Sequence, residues 1–378
     1  MVTDQNGYAA PMNGSILVIH VLNKNSIGGA ETLVASLVNG PQTVEGQLMH
    51  KTILIAPNKI SIQLLRMKLL RLLPIFTTSV RVTIVAIQSN LSGRKTAFIF
   101  HLAECHLVAK ICGPIISNLT NIRILIYLHQ SRELYPAKIR RVTDSLVGRY
   151  ESICYSEFAT KSWFAQSASQ IPRRTIIHNP VAVKCPRYRD TKGKTLKLIF
   201  IGRFTPWKRP DLAIAIASQL ATLTPVEMKV VGFNKSDFVD HYGDIKDSTA
   251  SLSINFLGPV HDVAPLVQDS DLLLNLAEST RSGESIGIAA LECLSLGVPV
   301  LVQDSKMSDF QNLPGIYSLI DFENVFKKMF QDPQPALLFR SSFKISPMER
   351  VTWEKKTSLE RYNYELSLLL VKFFEERR

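Results

Sequence analysis

The sequence lacks long apolar runs and paired cysteines. Uninterrupted apolar stretches such as Leu368–Val371 are far shorter than the ~20 residues that a membrane-spanning helix needs, so no spanning segment is expected. The five cysteines are scattered and contain no Cys-x-x-Cys pair, which argues against a disulfide framework or a zinc knuckle and predicts free thiols. Residues 1–14 are polar and lack the apolar core of a secretory signal. We therefore expect a cytoplasmic protein.

The composition is that of an ordinary globular protein, but the charge is uneven. Hydrophobic residues make up 46% and charged residues 20% of the 378 residues, which predicts two or three folded domains rather than a disordered chain. The net charge of +12 is concentrated in residues 1–180, which carry +11, whereas residues 181–378 carry +1. A basic half of this kind favours an anionic partner: nucleic acid, an acidic membrane surface or a phosphorylated substrate.

Short apolar and β-branched runs alternate with helix-like stretches along the whole chain. In the N-terminal half such runs predict buried strands at residues 15–22, 51–56, 81–87, 97–100, 122–128, 152–155 and 175–177. A second series predicts strands at residues 195–202, 227–231, 254–257, 271–276 and 299–302. Strands that alternate with helices indicate βαβ units, so we expect an α/β fold with two similar domains, each built on a parallel sheet.

The domain boundaries follow from changes in composition. Residues 184–194 are polar and non-periodic, which predicts a linker between an N-terminal domain of residues 1–183 and a C-terminal domain of residues 195–352. In residues 353–378, leucines and tyrosines recur among charged residues, a pattern typical of a long amphipathic helix.

The first candidate motif is Gly28-Gly29-Ala30-Glu31, which follows a predicted strand and opens a predicted helix. Glycine lets the backbone approach a ligand closely, and the N–H groups at a helix N-terminus attract anions such as a diphosphate. The alternative is a tight turn that uses glycine for its backbone freedom alone. The motif does not match the full Gly-x-Gly-x-x-Gly fingerprint of dinucleotide sites.

The second motif places two cations after the strand that ends at Gly202, namely Arg203 and Lys208. Open α/β sheets bind ligands at the carboxyl ends of their strands. An arginine that grips phosphate with two hydrogen bonds and a mobile lysine could together stabilise a departing diphosphate. A solvated basic loop is the alternative.

The third motif lies in residues 282–300 and contains two carboxylates, Glu284 and Glu292. Glu284 comes just before a predicted helix, where helix capping is the competing interpretation. Glu292 lies on that largely apolar helix. A buried glutamate needs a polar partner, and sugar hydroxyls would serve, although a simple exposed position is the alternative.

Together these motifs resemble the family 4 retaining glycosyltransferases of the GT-B fold. The resemblance is firm in residues 195–305 and weaker before residue 120. Lesser landmarks also match, namely His129, Asn179-Pro180-Val181, Val231-Gly232, Phe256-Leu257-Gly258, Gly297-Val-Pro-Val and Thr352-Trp353-Glu354. The resemblance implies two Rossmann-like domains that face each other across a cleft, the first binding the acceptor and the second the nucleotide-sugar, with residues 353–378 crossing back to the first domain.

The resemblance also implies roles for single residues. Arg203 and Lys208 match the pair that holds the donor diphosphate, and Glu292 matches the carboxylate that binds the ribose hydroxyls. Glu284 matches the carboxylate that contacts the transferred sugar. His129 matches a histidine that contacts the donor sugar near the reaction centre. Without the resemblance, a structural role is the alternative for a lone histidine at a strand end. The backbone of Ser285, Ile286, Gly287 and Ile288 would lie beside sugar and phosphate, as would the loop of Gly28 and Gly29. Family members need no metal ion or other cofactor.

Two arginines depart from the family pattern. Arg209 stands where many relatives carry glycine, and Arg281 lies close to the expected sugar end of the donor site. The identity of the donor is therefore left open at this point.

The basic N-terminal half suggests a further partner. Residues 59–73 combine many leucines with the cations Lys59, Arg66, Lys68 and Arg71. Such a segment could lie in an anionic membrane interface, which would suit a lipid-linked acceptor and a position on the inner face of the cell membrane. An ordinary packing helix with a basic edge is the alternative.

The leading hypothesis is thus a transferase that moves a sugar from a nucleotide-sugar to a cell-envelope glycan or lipid-linked acceptor with retention of configuration. A sugar-nucleotide epimerase or hydrolase on the same scaffold is an alternative enzyme. A basic nucleic-acid-binding protein is the alternative from a different class, but no helix-turn-helix, zinc pattern or ribonucleoprotein motif supports it.

Overall fold

Two compact α/β units make up the chain. One consists of Met1–Pro180 together with Leu359–Arg378, and the other of Val181–Ser358. The computed structural model describes residues 15–23, 29–39, 48–55, 73–129, 131–164, 174–181, 193–245, 250–278, 287–303 and 314–376.

The first unit contains a six-stranded sheet in the order β2-β1-β3-β4-β5-β6, with every neighbouring pair parallel. Its strands are β1 (Ile16–Asn23), β2 (Leu48–Ile55), β3 (Thr96–His101), β4 (Ile122–Leu128), β5 (Glu151–Cys154) and β6 (Arg174–Ile176). Its first five described helices are α1 (Gly29–Asn39), α2 (Leu73–Leu91), α3 (Leu102–Ile116), α4 (Ala137–Val147) and α5 (Glu157–Phe164).

The second unit contains a parallel six-stranded sheet in the order β12-β11-β10-β7-β8-β9. Its strands are β7 (Leu196–Ile201), β8 (Val226–Val231), β9 (Leu252–Phe256), β10 (Leu272–Asn275), β11 (Val300–Val302) and β12 (Ile316–Ser318). Its described helices are α6 (Pro210–Ala221), α7 (Lys235–Tyr242), α8 (Ala264–Gln268), α9 (Ile288–Ser295), α10 (Leu319–Met329), α11 (Pro335–Ser342) and α12 (Pro347–Thr357). The last helix, α13 (Leu359–Glu375), belongs to the first unit.

Strands β1, β3 and β4 are buried along all or nearly all of their length, as expected where helices cover both faces of a parallel sheet. In β7, Leu198 and Phe200 pack into one hydrophobic cluster, whereas Ile199 between them packs into another. Alternation of this kind places successive side chains on opposite faces of the sheet. The continuous apolar runs in the sequence correctly predicted such doubly covered parallel strands.

One predicted strand is wrong. Residues 81–87 lie inside the 19-residue helix α2, not in a strand. Its buried residues include Val82, Ala86 and Ser89, and their spacing of three or four residues gives one helical face. The β-branched residues misled the prediction because strand preference depends on context and tertiary packing overrides it. The short strand β12 was not predicted.

The predicted terminal helix is two helices in the structure. Ser358 has an extended backbone, with φ −68° and ψ 151°, and separates α12 from α13. Trp353 of α12 is 1% exposed within the hydrophobic core of the second unit, and its indole N–H donates to the Pro314 carbonyl at 2.8 Å. The helix that belongs to the first unit therefore begins at Leu359, after the predicted start at residue 353.

Four of the five cysteines lie in described parts of the chain, and these four are buried free thiols, as predicted: Cys105, Cys112, Cys154 and Cys293. Burial raises the pKa of Cys112 to about 12 and that of Cys154 to about 11. Cys185 and most of the predicted linker, residues 184–192, lie outside the described residues. Within the described ranges, no helix combines the length and the apolar character needed to cross a bilayer.

Candidate active site

The carboxyl ends of β7, β8, β9 and β10 lie at one edge of the second sheet because the strands are parallel. From β7 the chain adds strands in one direction, to β8 and β9, and from β10 it adds them in the other. The gap between β7 and β10 is therefore the topological switch point, where open α/β sheets bind their ligands. Arg203 and Lys208 follow β7 at this point.

Glycines allow the strand ends to approach one another closely at this edge. Gly232 follows β8 with φ +111°, and a Cβ atom there would lie 2.3 Å from the carbonyl oxygen of Gly202. A Cβ atom on Gly202 would in turn lie 2.8 Å from Cδ of Lys208. The lysine side chain thus packs directly over the end of β7, in space that any other residue at position 202 would fill.

The two cations differ in their surroundings. Arg203 is exposed. Lys208 is half-buried at the end of a short 3₁₀ turn, Pro206–Lys208, and its Nζ lies 5.3 Å from the ring centroid of Trp207. A guanidinium can bind a phosphate through two parallel hydrogen bonds, and an ammonium acts as a mobile point charge.

Arg209, at the position where the resemblance leads us to expect glycine, adopts the left-handed conformation with φ +54°. Glycine adopts that conformation more readily than other residues do. The guanidinium of Arg209 binds the Asp211 carboxylate at 2.8 Å and lies 3.5 Å from the Glu278 carboxylate. Burial opposes ionisation of Asp211, but hydrogen bonds from Arg209 lower the pKa of its carboxyl group. This arginine is thus bound to carboxylates of its own unit.

The loop after β10 is tied to the loop after β7. The backbone N–H of Glu278 donates to the Trp207 carbonyl at 2.8 Å. Helix α9 then begins after Gly287, whose backbone is extended, and Glu292 lies half-buried in its second turn. The structure therefore brings Arg203, Lys208 and the N-terminus of α9 to the same edge of the sheet. Three predicted site residues, Glu284, Ser285 and Ile286, lie outside the described residues.

The remaining predicted site residues belong to the first unit. His129 follows β4, and Gly29 is the first residue of α1, which follows β1. Both lie at the carboxyl edge of the first sheet. Gly28 lies outside the described residues, as do the four predicted membrane-contact cations Lys59, Arg66, Lys68 and Arg71.

The sequence prediction missed three histidines that are linked to His129. Hydrogen bonds join His50 to His20 at 2.9 Å, His20 to His101 at 2.9 Å and His101 to His129 at 2.7 Å. We call these four side chains the histidine row. Polar residues within or at the end of otherwise apolar strands were the available signal, but it carries no information on which strands are neighbours.

Burial keeps the histidine row neutral. Desolvation, reinforced by neighbouring histidines, lowers the pKa of His20 and His101 well below the usual value for an imidazole. Burial also lowers the pKa of His50 to about 4 and that of His129 to about 3. All four imidazoles are therefore uncharged at neutral pH.

A cavity in the first unit lies away from these groups. It has a volume of about 450 Å³ and is lined by residues that include Glu151 and Arg174, at the amino ends of β5 and β6, and Lys372 of α13. Ligands of open α/β sheets bind at the opposite, carboxyl edge. The cavity is therefore not our candidate for the chemistry.

The sequence comparison with known proteins gives a family match in the second unit. Residues 187–311 match the family described as Glycosyl transferases group 1. The chain is 29% identical, over 113 residues, to the D-inositol 3-phosphate glycosyltransferase of Geodermatophilus obscurus. That stretch covers 28% of this chain and 25% of the other protein, so the chain spans about a quarter of the length of the curated relative it matches.

Solved structures resemble the chain over nearly its whole length. HepE of Anabaena in complex with UDP-glucose is similar with a TM-score of 0.65 and 16% identity, covering 94% of this chain and 99% of that one. The lipopolysaccharide outer core galactosyltransferase WaaB, in its apo form, is similar with a TM-score of 0.56 and 13% identity, with the same coverage of 94% and 99%.

At such identities a structural likeness establishes the fold. Both proteins match the arrangement of two parallel six-stranded sheets with their helices, and the predicted GT-B fold is confirmed. The chain thus has the fold of the GT-B glycosyltransferases, and its residues 187–311 match the glycosyl transferases group 1 family.

Proposed function

We propose that this protein is a retaining glycosyltransferase of family 4 that transfers a sugar from a nucleotide-sugar to a cell-envelope glycan or a lipid-linked acceptor, without a metal ion. The observation that carries the proposal is the position of Arg203 and Lys208 at the switch point of the second sheet, on the loop whose Trp207 carbonyl accepts a hydrogen bond from Glu278 after β10. The UDP-glucose bound to HepE and the description of WaaB as a lipopolysaccharide galactosyltransferase support it.

In this proposal the second unit binds the donor. Arg203 and Lys208 bind the diphosphate and neutralise the charge that develops as it departs. The free backbone N–H groups after Gly287, beginning with that of Ile288, attract the same phosphates. Glu292 accepts hydrogen bonds from the ribose hydroxyls. Glu284, together with Ser285 and Ile286, contacts the transferred sugar.

The first unit then supplies the acceptor side, with His129 near the reacting sugar and the loop of Gly28 and Gly29 beside the diphosphate. Retention follows when the acceptor oxygen enters on the face from which the diphosphate leaves. The protein accelerates this reaction by positioning the reactants and stabilising charge, so no carboxylate need act as a nucleophile.

A two-part experiment tests the function. Thermal unfolding is first measured with a panel of UDP-, GDP- and ADP-sugars, because a ligand that binds the folded state raises the midpoint. The stabilising donor is then incubated with lipid-linked and oligosaccharide acceptors, with and without EDTA, and the anomeric configuration of the product is determined by NMR. We expect transfer with retention that EDTA does not change.

Each competing function has its own outcome in the same assays. Conversion of the donor alone to an isomer or to free sugar would identify an epimerase or hydrolase. A shift of nucleic acid in a gel at physiological salt would support the nucleic-acid alternative. A protein that no nucleotide-sugar stabilises, and that transfers no sugar, would contradict the proposal.

Helix α2 supports attachment to the inner face of the cell membrane. Besides its buried face it carries a second apolar stripe of exposed residues at spacings of three or four, which are Leu73, Phe76, Val80, Ile84, Ile87 and Leu91. The sequence between Glu45 and Glu104 contains eight lysines and arginines and no acidic residue. An apolar stripe within a basic region matches an anionic membrane surface, which attracts cations and accepts apolar side chains.

Liposome flotation tests this attachment. We expect the protein to float with anionic vesicles and not with neutral ones, and the double variant Phe76→Ser, Ile84→Ser to lose most of this binding. Ile320→Ser is the matched control because Ile320 is an exposed apolar residue of the second unit, 70% exposed. Equal retention of the double variant and the control would remove the stripe from the proposal.

A further inference from the structure

The histidine row crosses four neighbouring strands without a gap. The ring centroids of successive histidines are 5.2, 5.1 and 5.0 Å apart. Neighbouring strands in a sheet are ~4.8 Å apart. Because one imidazole and one hydrogen bond together span about the strand spacing, one histidine on each of β2, β1 and β3 and one directly after β4 form a continuous chain of ring-to-ring hydrogen bonds.

The register places all four side chains on the same face of the sheet. Val18, two residues before His20, pairs with His50. His20 pairs with Ile99, two residues before His101, and His101 pairs with Tyr127, two residues before His129. Side chains two residues apart on a strand share a face. The row therefore moves one strand across and two residues along at each step.

Tyr127 holds the end of the row in place. Its ring stacks on His101 at 5.1 Å and on His129 at 4.1 Å between centroids. Its hydroxyl donates to the Asn179 side-chain oxygen at 2.9 Å. His20 and His101 are themselves 0% exposed, so the rings have little freedom to rotate away from one another.

The row ends at an amide on the last helix of the first unit. Nε2 of His50 lies 3.0 Å from Oδ1 of Asn363 in α13. An amide oxygen can only accept a hydrogen bond, so Nε2 of His50 must carry the proton. Nδ1 of His50 is then a bare acceptor in the neutral ring.

This single constraint sets every proton in the row. Because Nδ1 of His50 accepts, Nε2 of His20 must donate to it, and the same rule then applies to Nε2 of His101 and of His129. Four neutral imidazoles carry four N–H protons in all. The row contains four hydrogen bonds, three between histidines and one to Asn363, and each of them needs one such proton. All four protons are used, and Nδ1 of His129 is left without one.

We propose that Asn363, His50, His20 and His101 act as positioning residues that hold His129 in the Nε2–H tautomer, so that its Nδ1 lone pair accepts a hydrogen bond from a sugar hydroxyl of the substrate. The inference rests on the proposed function for the substrate, but the tautomer itself does not. Orientation of a histidine by the partner on its other nitrogen is a general device at active sites.

The tautomer determines what His129 can bind. A bare Nδ1 accepts from hydroxyl groups and repels phosphate oxygens, which also present lone pairs. If the row were reversed, with the Asn363 amide nitrogen facing His50, Nδ1 of His129 would carry a proton and favour phosphate instead. The choice between hydroxyl and phosphate at His129 is therefore made at Asn363, on a different element of the fold.

Nitrogen NMR of the protein labelled with ¹⁵N-histidine tests the tautomers directly. At pH 7.5 we expect four neutral Nε2–H rings, each assigned by the loss of its signal in a single His→Gln variant. His178 is an internal control of the opposite kind, because its Nδ1 lies 3.1 Å from the Tyr155 carbonyl oxygen and must donate to it. An Nδ1–H ring at His129 would overturn the proposal.

The variant Asn363→Leu tests the control of His129 from α13. Without the acceptor, we expect His129 to show a mixture of tautomers and kcat for transfer to fall by up to about tenfold, with little change in KM for the donor, as for the loss of one hydrogen bond. Ser367→Ala removes another buried polar group of α13, one that bonds only within the helix, and should leave both readouts unchanged.

The outcomes separate this inference from the proposed function. If no sugar is transferred but the NMR pattern is as expected, the function fails and the tautomer assignment stands. If Asn363→Leu does not fold, His50→Gln breaks the same connection at a half-buried position. An unchanged His129 signal in a folded variant, or equal kinetic effects of Asn363→Leu and Ser367→Ala, would contradict the inference.

Discussion

The two sheets of this protein share six parallel strands but place different chemistry at their carboxyl edges. The second sheet has glycines and cations there, with Lys208 packed over Gly202. The first has a row of neutral imidazoles that ends at His129. The strand orders differ as well, so the switch point lies between β1 and β3 in one unit and between β7 and β10 in the other. One architecture can therefore carry a cationic edge on one sheet and an edge of uncharged hydrogen-bonding groups on the other.

The largest expected difference between the units is their response to acid. Burial lowers the pKa of five imidazoles of the first unit, which are His20, His50, His101, His106 and His129. Below pH ~6.5 these histidines bind protons in the unfolded chain but stay neutral in the folded unit. The free energy of unfolding therefore has its full value above that pH. It falls as the pH drops, by up to about 1.4 kcal/mol per pH unit for each histidine. Hydrogen exchange of β3 should show the loss between pH 7.5 and 5.

The second unit provides the comparison in the same experiment. Burial opposes ionisation of Asp211 and Asp269, but hydrogen bonds from Arg209, and from Lys197 and Lys229, lower the pKa values of these carboxyl groups. A lowered carboxyl pKa stabilises the fold above pH ~4 and loses its effect only below that. Protection of β8 should therefore persist to pH 5. Parallel loss in β3 and β8 would mean that the two units do not differ in this way.

The next largest effect concerns the cations of the second unit. We expect Lys208→Ala to reduce kcat for sugar transfer by about 100- to 1000-fold, because the charge of the departing diphosphate is no longer neutralised. Steady-state kinetics with the stabilising donor measures the loss. Lys327→Ala removes an exposed cation from α10 and should have no effect, so equal rates in the two variants would remove Lys208 from the mechanism.

The sequence predicted the second edge better than the first for a physical reason. Arg203 and Lys208 are close in sequence, on one loop after one strand, so their proximity needs no knowledge of strand pairing. The histidine row draws on four strands, and only the register, such as His20 opposite Ile99, brings its members together. The same limit explains α2, where β-branched residues favour a strand locally and packing of the whole unit makes a helix.

A glycine at the second edge tests how far stability depends on the close approach of the strand ends. Gly232→Ala combines a disfavoured φ of +111° with a collision against the Gly202 backbone, and we expect a loss of about 4 kcal/mol in the free energy of unfolding. Gly93→Ala is the control in the first unit, because Gly93 also has a positive φ, +68°, but has open space around it. That variant should lose about 1 kcal/mol from backbone strain alone. Urea unfolding compares the two, and similar losses would show that close approach at the strand ends is unimportant.

The smallest expected effect tests which of the two units is stabilised by the last helix, α13. Leu370 of α13 is 0% exposed, whereas Leu368 on the same helix is 47% exposed. Leu370→Ala should lower the free energy of unfolding by about 3 kcal/mol, through lost burial and a residual cavity. Leu368→Ala should change it by less than about 0.5 kcal/mol. Because α13 packs in the first unit, where the Arg123 guanidinium donates to the Phe373 carbonyl at 3.0 Å, hydrogen exchange should accelerate in β4 and not in β8. Faster exchange in β8 instead would assign the helix to the second unit and remove the distinction between them.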